Sequence, residues 1–126
     1  MRNNNPANIR YNNFNRWRGL IGKDSQGFCR FSDINYGYRA VVVLLKRYIS
    51  FGYDTPARII TRFAPYCENR TDSYIRFVCS RCDIKSDQVI YDGSSKFYDL
   101  ISAICFYESK IDITGLMIKE IYGSLR

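Results

Sequence analysis

The sequence predicts a mainly helical α+β fold with a small β-hairpin or irregular lobe. Apolar residues recur at intervals of three and four through most of the chain after Ser32, as they do on the buried faces of helices. Between Trp17 and Phe31, by contrast, three glycines separate short apolar pieces, which favours a hairpin or an irregular lobe. At 126 residues and 46% hydrophobic, the chain is long enough for one domain with its own core.

The first 16 residues are predicted to be a loop. They are rich in Asn and Arg, contain Pro6 and show little periodicity. Because asparagine side chains bond readily to nearby backbone, we expect side-chain hydrogen bonds to order this loop. Its start has no hydrophobic signal region and no apolar run is as long as a membrane span, so we expect neither a signal peptide nor a transmembrane segment.

The two helices that follow the lobe have clear start and stop signals. Ser32 or Asp33 caps the first, which carries a periodic apolar face and stops at Gly52. Thr55 caps the second, with proline at its first helical position, and Pro65 ends it. The first is the most strongly predicted helix; its face comprises Gly37, Ala40, Val41, Leu44, Leu45 and Tyr48.

Three further helices complete the predicted fold. Asn69 or Thr71 opens the third, Ser94 or Ser95 caps the fourth, and Thr114 caps the last. The face predicted for the last helix comprises Met117, Ile118, Ile121 and Tyr122.

Charge and composition restrict the chemistry. Nineteen Lys and Arg against twelve Asp and Glu give a net charge of +7, which favours anionic partners such as nucleic acid, an acidic membrane surface or the acidic polymers of a bacterial envelope. The absence of histidine excludes Ser-His-Asp and Cys-His catalysis and the HExxH zinc site. Hydrolysis would therefore depend on carboxylates, tyrosines or lysines, and the chain has three glutamates: Glu68, Glu108 and Glu120.

The five cysteines favour buried, reduced thiols. Cys79 and Cys82 form a CxxC pair, but no second pair and no histidine complete a zinc site. A four-cysteine site built from Cys67, this pair and one other cysteine is the alternative. We expect no metal and no cofactor.

Glu108 follows the apolar face of the fourth helix. Phe97, Leu100, Ile101, Ile104 and Cys105 recur at helical spacing, and Glu108 continues the same face. A carboxylate at the edge of an apolar surface is poorly solvated and can hold a proton near neutral pH, as a general acid must. The alternative is a glutamate that bends into water or pairs with one of the many cationic residues.

Three stretches together resemble a family of small phage and prophage proteins, virion-associated and muralytic, with a lysozyme-like fold. They are RNNNPANIR at residues 2–10, GFCRF at 27–31 with GYRA at 37–40, and IITRFAP at 59–65 with ENRTDSY at 68–74. The chain departs from the family pattern at Ala7, Phe63 and the two residues after Glu108. The resemblance implies that residues 1–126 form a single lysozyme-like domain.

The motif order is also similar to that of bacterial glucosaminidases of the lysozyme superfamily, in circular permutation. Those enzymes place a catalytic glutamate at a helix end, followed by an Asn-rich stretch, a hairpin, an FRxYxS segment and a TDxxYA motif. Here the chain begins with the Asn-rich stretch, continues through residues 28–33 and 71–75, and closes with the helix that carries Glu108. Neighbouring chain ends make such permutation tolerable.

The resemblance implies a role for each candidate residue. Glu108 would be the general acid, Tyr74 would line the cleft, and Asp24 in the hairpin lobe would supply a second carboxylate. A packed core tyrosine and a turn aspartate are the alternatives for the last two. Asn3, Asn4 and Asn5 would bind acetamido groups of the substrate, or would order the terminus instead.

Glu68 is the alternative acid. It lies just before a predicted helix start, where the helix dipole favours an ionised capping carboxylate. That arrangement suits a structural role better than acid catalysis, and Glu120 is expected to face solvent.

The resemblance implies a peptidoglycan-cleaving glycosidase, either a hydrolase or a lytic transglycosylase. Its partner would be the glycan strand rather than nucleic acid, and it would act as a monomer, carried in a virion or released to the cell wall by lysis. One alternative is a basic nucleic-acid-binding protein, with aromatic residues interleaved among Arg2, Arg10, Arg16, Arg18, Arg30 and Arg39. The other is an inactive structural phage protein that keeps the fold.

Overall fold

The computed structural model describes residues 3–65 and 68–125, with the backbone alone at residues 68 and 69. It confirms the predicted class, because the described residues form helices and a small two-stranded antiparallel sheet. The elements are β1 Leu20–Lys23, β2 Cys29–Phe31, α1 Ile34–Ser50, α2 Pro56–Phe63, α3 Glu68–Cys82, α4 Ser95–Ser109 and α5 Gly115–Leu125.

The N-terminal segment, residues 3–11, runs beside the hairpin without forming a named strand. Cys29 N donates to Ile9 O at 2.9 Å, and Tyr11 N donates to Gly27 O at 2.8 Å. Asn4 Nδ2 donates to Phe31 O at 3.0 Å, so side chains contribute to the same pairing. For residues 3–16 the prediction of a loop ordered by side-chain hydrogen bonds is confirmed, and residues 1 and 2 lie outside the described part of the chain.

Local capping chemistry sets four of the five helix starts. Asp33, Thr55, Ser94 and Thr114 each accept a hydrogen bond from a backbone N–H two or three residues later, over 2.8–3.2 Å. These bonds satisfy N–H groups that have no partner within the helix, so the four caps follow from sequence as predicted. The predicted start of α3 was wrong, because α3 begins at Glu68 and Thr71 lies inside it, donating from Oγ1 to Ala64 O at 2.8 Å.

Helix α4 lies at the centre of the core and packs against both α3 and α5. Its fully buried side chains include Phe97, Leu100, Ile101 and Ile104. Ile118 of α5 is buried as predicted, but Met117 is 52% exposed, because the face that α5 presents to the core is narrower than its apolar pattern. No helix in the described ranges is both long and apolar enough to cross a membrane.

Gly37 allows the N-terminal segment to lie directly on α1. A Cβ atom at this position would come within 2.1 Å of Asn4 O and 2.6 Å of Pro6 Cδ. Any larger residue would push the segment away from the helix. This close approach sets the distance between residues 4–8 and α1.

Candidate active site

A cleft of about 900 Å³ opens between the N-terminal segment and the helices. Its walls come from residues 8–17 and Phe28, from α1, from the junction of α2 and α3, and from the end of α4. The described side chains that line it are Asn8, Ile9, Arg10, Asn12, Asn15, Trp17, Phe28, Leu44, Tyr48, Arg62, Phe63, Ala64, Pro65, Arg70, Thr71, Tyr74, Tyr107, Glu108 and Lys110.

Glu108 lies in the last turn of α4, half-buried in the wall of this cleft. Among the described residues that line the cleft, Glu108 is the only one with a carboxylate. Asn8 Nδ2 donates to Glu108 Oε1 and to the backbone oxygen of the same residue, both at 3.1 Å. The carboxylate is therefore oriented by an amide and does not pair with a described cation.

The segment that carries Asn8 is itself anchored at several points. Asn5 is fully buried, where Nδ2 donates to Ile9 O and Cys29 O and Oδ1 accepts from Ile9 N, all at 3.0 Å. Ser109 Oγ donates to Pro6 O at 2.8 Å and ties the end of α4 to the same segment. These bonds hold Asn8 beside Glu108 across a separation of 100 residues in sequence.

Tyr74 is one of the lining residues and lies close enough to Glu108 to interact with its charge. It is 3% exposed, and its ring stacks on Tyr107 with the centroids 3.7 Å apart. Burial raises the pKa of Tyr74 well above the ordinary value of 10.0, and the charge of Glu108 raises it further. Although Glu108 is close enough to favour the protonated phenol, the Tyr74 hydroxyl has no partner that meets ordinary hydrogen-bond geometry among the described groups.

The three asparagines predicted to bind substrate do not line the cleft. Asn3 Nδ2 donates to Asp24 Oδ2 at 2.9 Å, and the amides of Asn4 and Asn5 bond to backbone oxygens of the hairpin. Their polar atoms are used to hold the terminal segment in place. The structure thus matches the alternative reading, in which they order the terminus.

Asp24 also lies outside the cleft lining. Its carboxylate accepts from Gln26 N and Phe28 N, each at 2.9 Å, and so closes the turn of the hairpin. Asp24 and Glu108 are therefore not brought together as a lining pair. Glu68, the alternative acid, begins α3, but its side chain lies outside the described part of the chain.

Among the cleft residues that the sequence did not single out as catalytic or substrate-binding are Asn8, Tyr107 and Trp17. Trp17 is buried, its Nε1 has no partner among the described residues, and the Arg47 guanidinium lies 4.8 Å from its ring centroid. Asn8 adopts a left-handed φ of 51°. Asparagine is one of the residues that favour this conformation. An asparagine two residues after Pro6 was therefore the sequence signal for a turn at this position.

The arginines proposed for nucleic-acid binding make different contacts where the structure describes them. Arg10 lines the cleft, whereas Arg18 donates to Leu125 O and the Nε of Arg39 is buried. Arg2 lies outside the described residues.

The described cysteines, Cys29, Cys79, Cys82 and Cys105, are free thiols. Burial raises the pKa of Cys29 and of Cys82 from 9.0 to about 11, and that of Cys105 to about 12. No group of three potential metal ligands occurs among the residues that the structure describes. Cys67, invoked in the alternative metal site, lies outside them.

Comparison with known proteins connects the chain to a bacteriophage. It is similar to Protein P5 of Pseudoalteromonas phage PM2. The two are 34% identical over 96 residues, which cover 73% of this chain and 60% of the phage protein. No protein-family model matches the chain.

Proposed function

We propose that this protein is a peptidoglycan-cleaving glycosidase with a lysozyme-like arrangement of its helices and hairpin. The observation that carries the proposal is the position of Glu108, a half-buried carboxylate at the end of the central helix, in the wall of a cleft of about 900 Å³. Clefts of this kind accommodate extended polymers, and glycosidases use a carboxyl group at the scissile bond.

In the proposed reaction Glu108 is the general acid and then the base. Its proton passes to the glycosidic oxygen as the bond between that oxygen and the anomeric carbon breaks. The ionised carboxylate then takes a proton from the group that attacks the anomeric carbon. Attack by water gives a reducing end, whereas attack by the C6 hydroxyl of the same sugar gives a 1,6-anhydro end. Asn8 positions the carboxylate through its Nδ2 contact to Oε1.

The neighbourhood of Glu108 supports the circularly permuted similarity. In that arrangement the Asn-rich stretch follows the catalytic glutamate, and here Asn8 of this stretch lies against Glu108 although 100 residues separate them. The half-buried Tyr107 ring, stacked on Tyr74, offers a flat apolar surface on which a sugar ring can pack. Tyr74 would keep its proton and remain neutral beside Glu108.

The similarity to a phage protein supports delivery in a virion or release by lysis. The chain spans about 60% of the length of that relative, so its activity and partners belong to this proposal. An inactive structural phage protein with the same cleft is the competing function.

Replacing Glu108 with glutamine tests the proposal. Glutamine keeps an oxygen that can accept from Asn8 but cannot donate a proton to the leaving group. We expect Glu108→Gln to reduce the clearing of purified peptidoglycan by about 100-fold or more, the range for loss of general acid catalysis, with unchanged thermal stability. Glu120→Gln, at an exposed position on α5, is the matched control and should remain active.

Mass spectrometry of the released muropeptides separates hydrolase from transglycosylase by their reducing or 1,6-anhydro ends. Activity retained in Glu108→Gln but lost in Glu68→Gln would move the acid to Glu68. No release by the wild type would favour the inactive structural protein.

A further inference from the structure

The cleft is strongly cationic. Its described lining contains four cationic side chains, Arg10, Arg62, Arg70 and Lys110, against the one carboxylate of Glu108. Concave surfaces with one sign of charge focus the electric field and concentrate ligands of the opposite sign. A glycan whose sugars carry no charge would gain nothing from this arrangement.

Three of these cations have no carboxylate partner in the described part of the chain. Arg62, Arg70 and Lys110 are exposed, and none lies within 4.0 Å of a described carboxylate. The ion pairs that the described residues do form involve Lys46, Arg58 and Arg81. No described carboxylate therefore neutralises Arg62, Arg70 or Lys110 at the cleft.

Separate elements bring these three cations to the same opening. Arg62 lies in the last turn of α2, Arg70 in the first turn of α3, and Lys110 directly after α4, two residues from Glu108. The positive charge of Arg62 also acts on Tyr48, another lining residue. It opposes the rise that burial causes in the pKa of Tyr48. Guanidinium groups recognise carboxylates through paired N–H donors, and an ammonium adds a point charge.

We propose that Arg62, Arg70 and Lys110 form a carboxylate-binding wall that makes the cleft selective for glycan strands that carry carboxylates over neutral poly-N-acetylglucosamine. The inference rests on the proposed function and narrows its substrate class. The carboxylates can belong to lactyl groups that bear no peptide or to the attached peptides.

Binding by the Glu108→Gln variant tests this wall without consuming the polymer. Binding is measured as the loss of the variant protein from solution when it is mixed with peptidoglycan sacculi, with sacculi whose carboxyl groups have been amidated, or with chitin. We expect native sacculi to bind at least about tenfold more tightly than the other two, with the difference shrinking at high salt. Strands whose peptides have been removed at the amide bond carry free lactyl carboxylates and no peptide carboxylates, so they separate the two sources of charge.

The double change Arg62→Gln and Arg70→Gln should weaken binding to native sacculi by about tenfold or more, as expected when charge-assisted contacts are lost, and leave chitin binding unchanged. Arg30→Gln with Arg76→Gln is the control, because both arginines are exposed, neither lines the cleft, and the net charge changes equally.

Equal binding to native and amidated sacculi would overturn the proposal, as would the same loss in the control pair. Displacement of the protein from sacculi by duplex DNA at lower concentration than by soluble strands would overturn it in favour of a nucleic-acid ligand. Charge-selective binding without release of muropeptides by the wild type would sustain the wall and reject the glycosidase. Equal release of muropeptides from native and amidated sacculi would reject the carboxylate-binding wall and sustain the glycosidase.

Discussion

Replacing Tyr74 with phenylalanine removes one oxygen atom from the floor of the cleft. The hydroxyl is buried and has no partner of ordinary hydrogen-bond geometry among the described groups, although Glu108 lies close to it, and Tyr74 is 3% exposed. The ring would keep its stack on Tyr107, with the centroids 3.7 Å apart, so that packing is preserved. The substitution therefore isolates the hydroxyl from the rest of the side chain.

The size of the effect follows from the cost of an unpaired polar group. A buried donor without a partner costs about 1–3 kcal/mol, and Tyr74→Phe removes that cost. We expect the free energy of unfolding to rise by about 1 kcal/mol, the lower end, because the lost oxygen also leaves a small void. For a chain of this size that corresponds to roughly 4 °C in the melting temperature.

Urea denaturation, followed by fluorescence, measures the stability, and clearing of purified peptidoglycan measures the activity. If the hydroxyl faces Glu108 for a functional reason, Tyr74→Phe should be more stable and less active at once. Tyr107→Phe is the control, because its hydroxyl is not among the buried unpaired atoms. A loss of stability of 1 kcal/mol or more in Tyr74→Phe would refute the reasoning, since it would mean that the folded protein does satisfy the hydroxyl.

Two further predictions concern the fold. Gly37→Ala should destabilise the protein by about 1–3 kcal/mol and reduce activity, because its Cβ would displace Asn4 and with it the segment that positions Glu108. Gly123→Ala is the control, because no atom lies within 4 Å of a Cβ at that position. Equal urea midpoints for the two variants would contradict the reasoning. The contribution of the Cys29 and Cys82 thiols to the free energy of unfolding should be fully present below about pH 9 and fall between pH 9 and pH 11, because burial raises their pKa from 9.0 to about 11 and the folded state keeps protons that the unfolded chain releases. Stability measured by urea denaturation that stays flat across this window would reject the burial of these thiols.

Sequence by itself determined the elements whose signals are local. Asp33, Thr55, Ser94 and Thr114 each cap a helix through a backbone group two or three residues away, so the pattern that predicts the helix also contains the bond that starts it. The apolar spacing of α4 likewise placed Glu108 at the edge of a buried face.

Tertiary structure alone decided which polar groups meet in the cleft. Asn8, and not Asn3, Asn4 or Asn5, reaches Glu108, and Asp24 is used within its own turn. The contact between Asn8 and Glu108 joins residues 100 positions apart, and no periodicity encodes it. It depends on how closely the N-terminal segment packs on α1 over Gly37, and such packing is set by steric fit between distant parts of the chain.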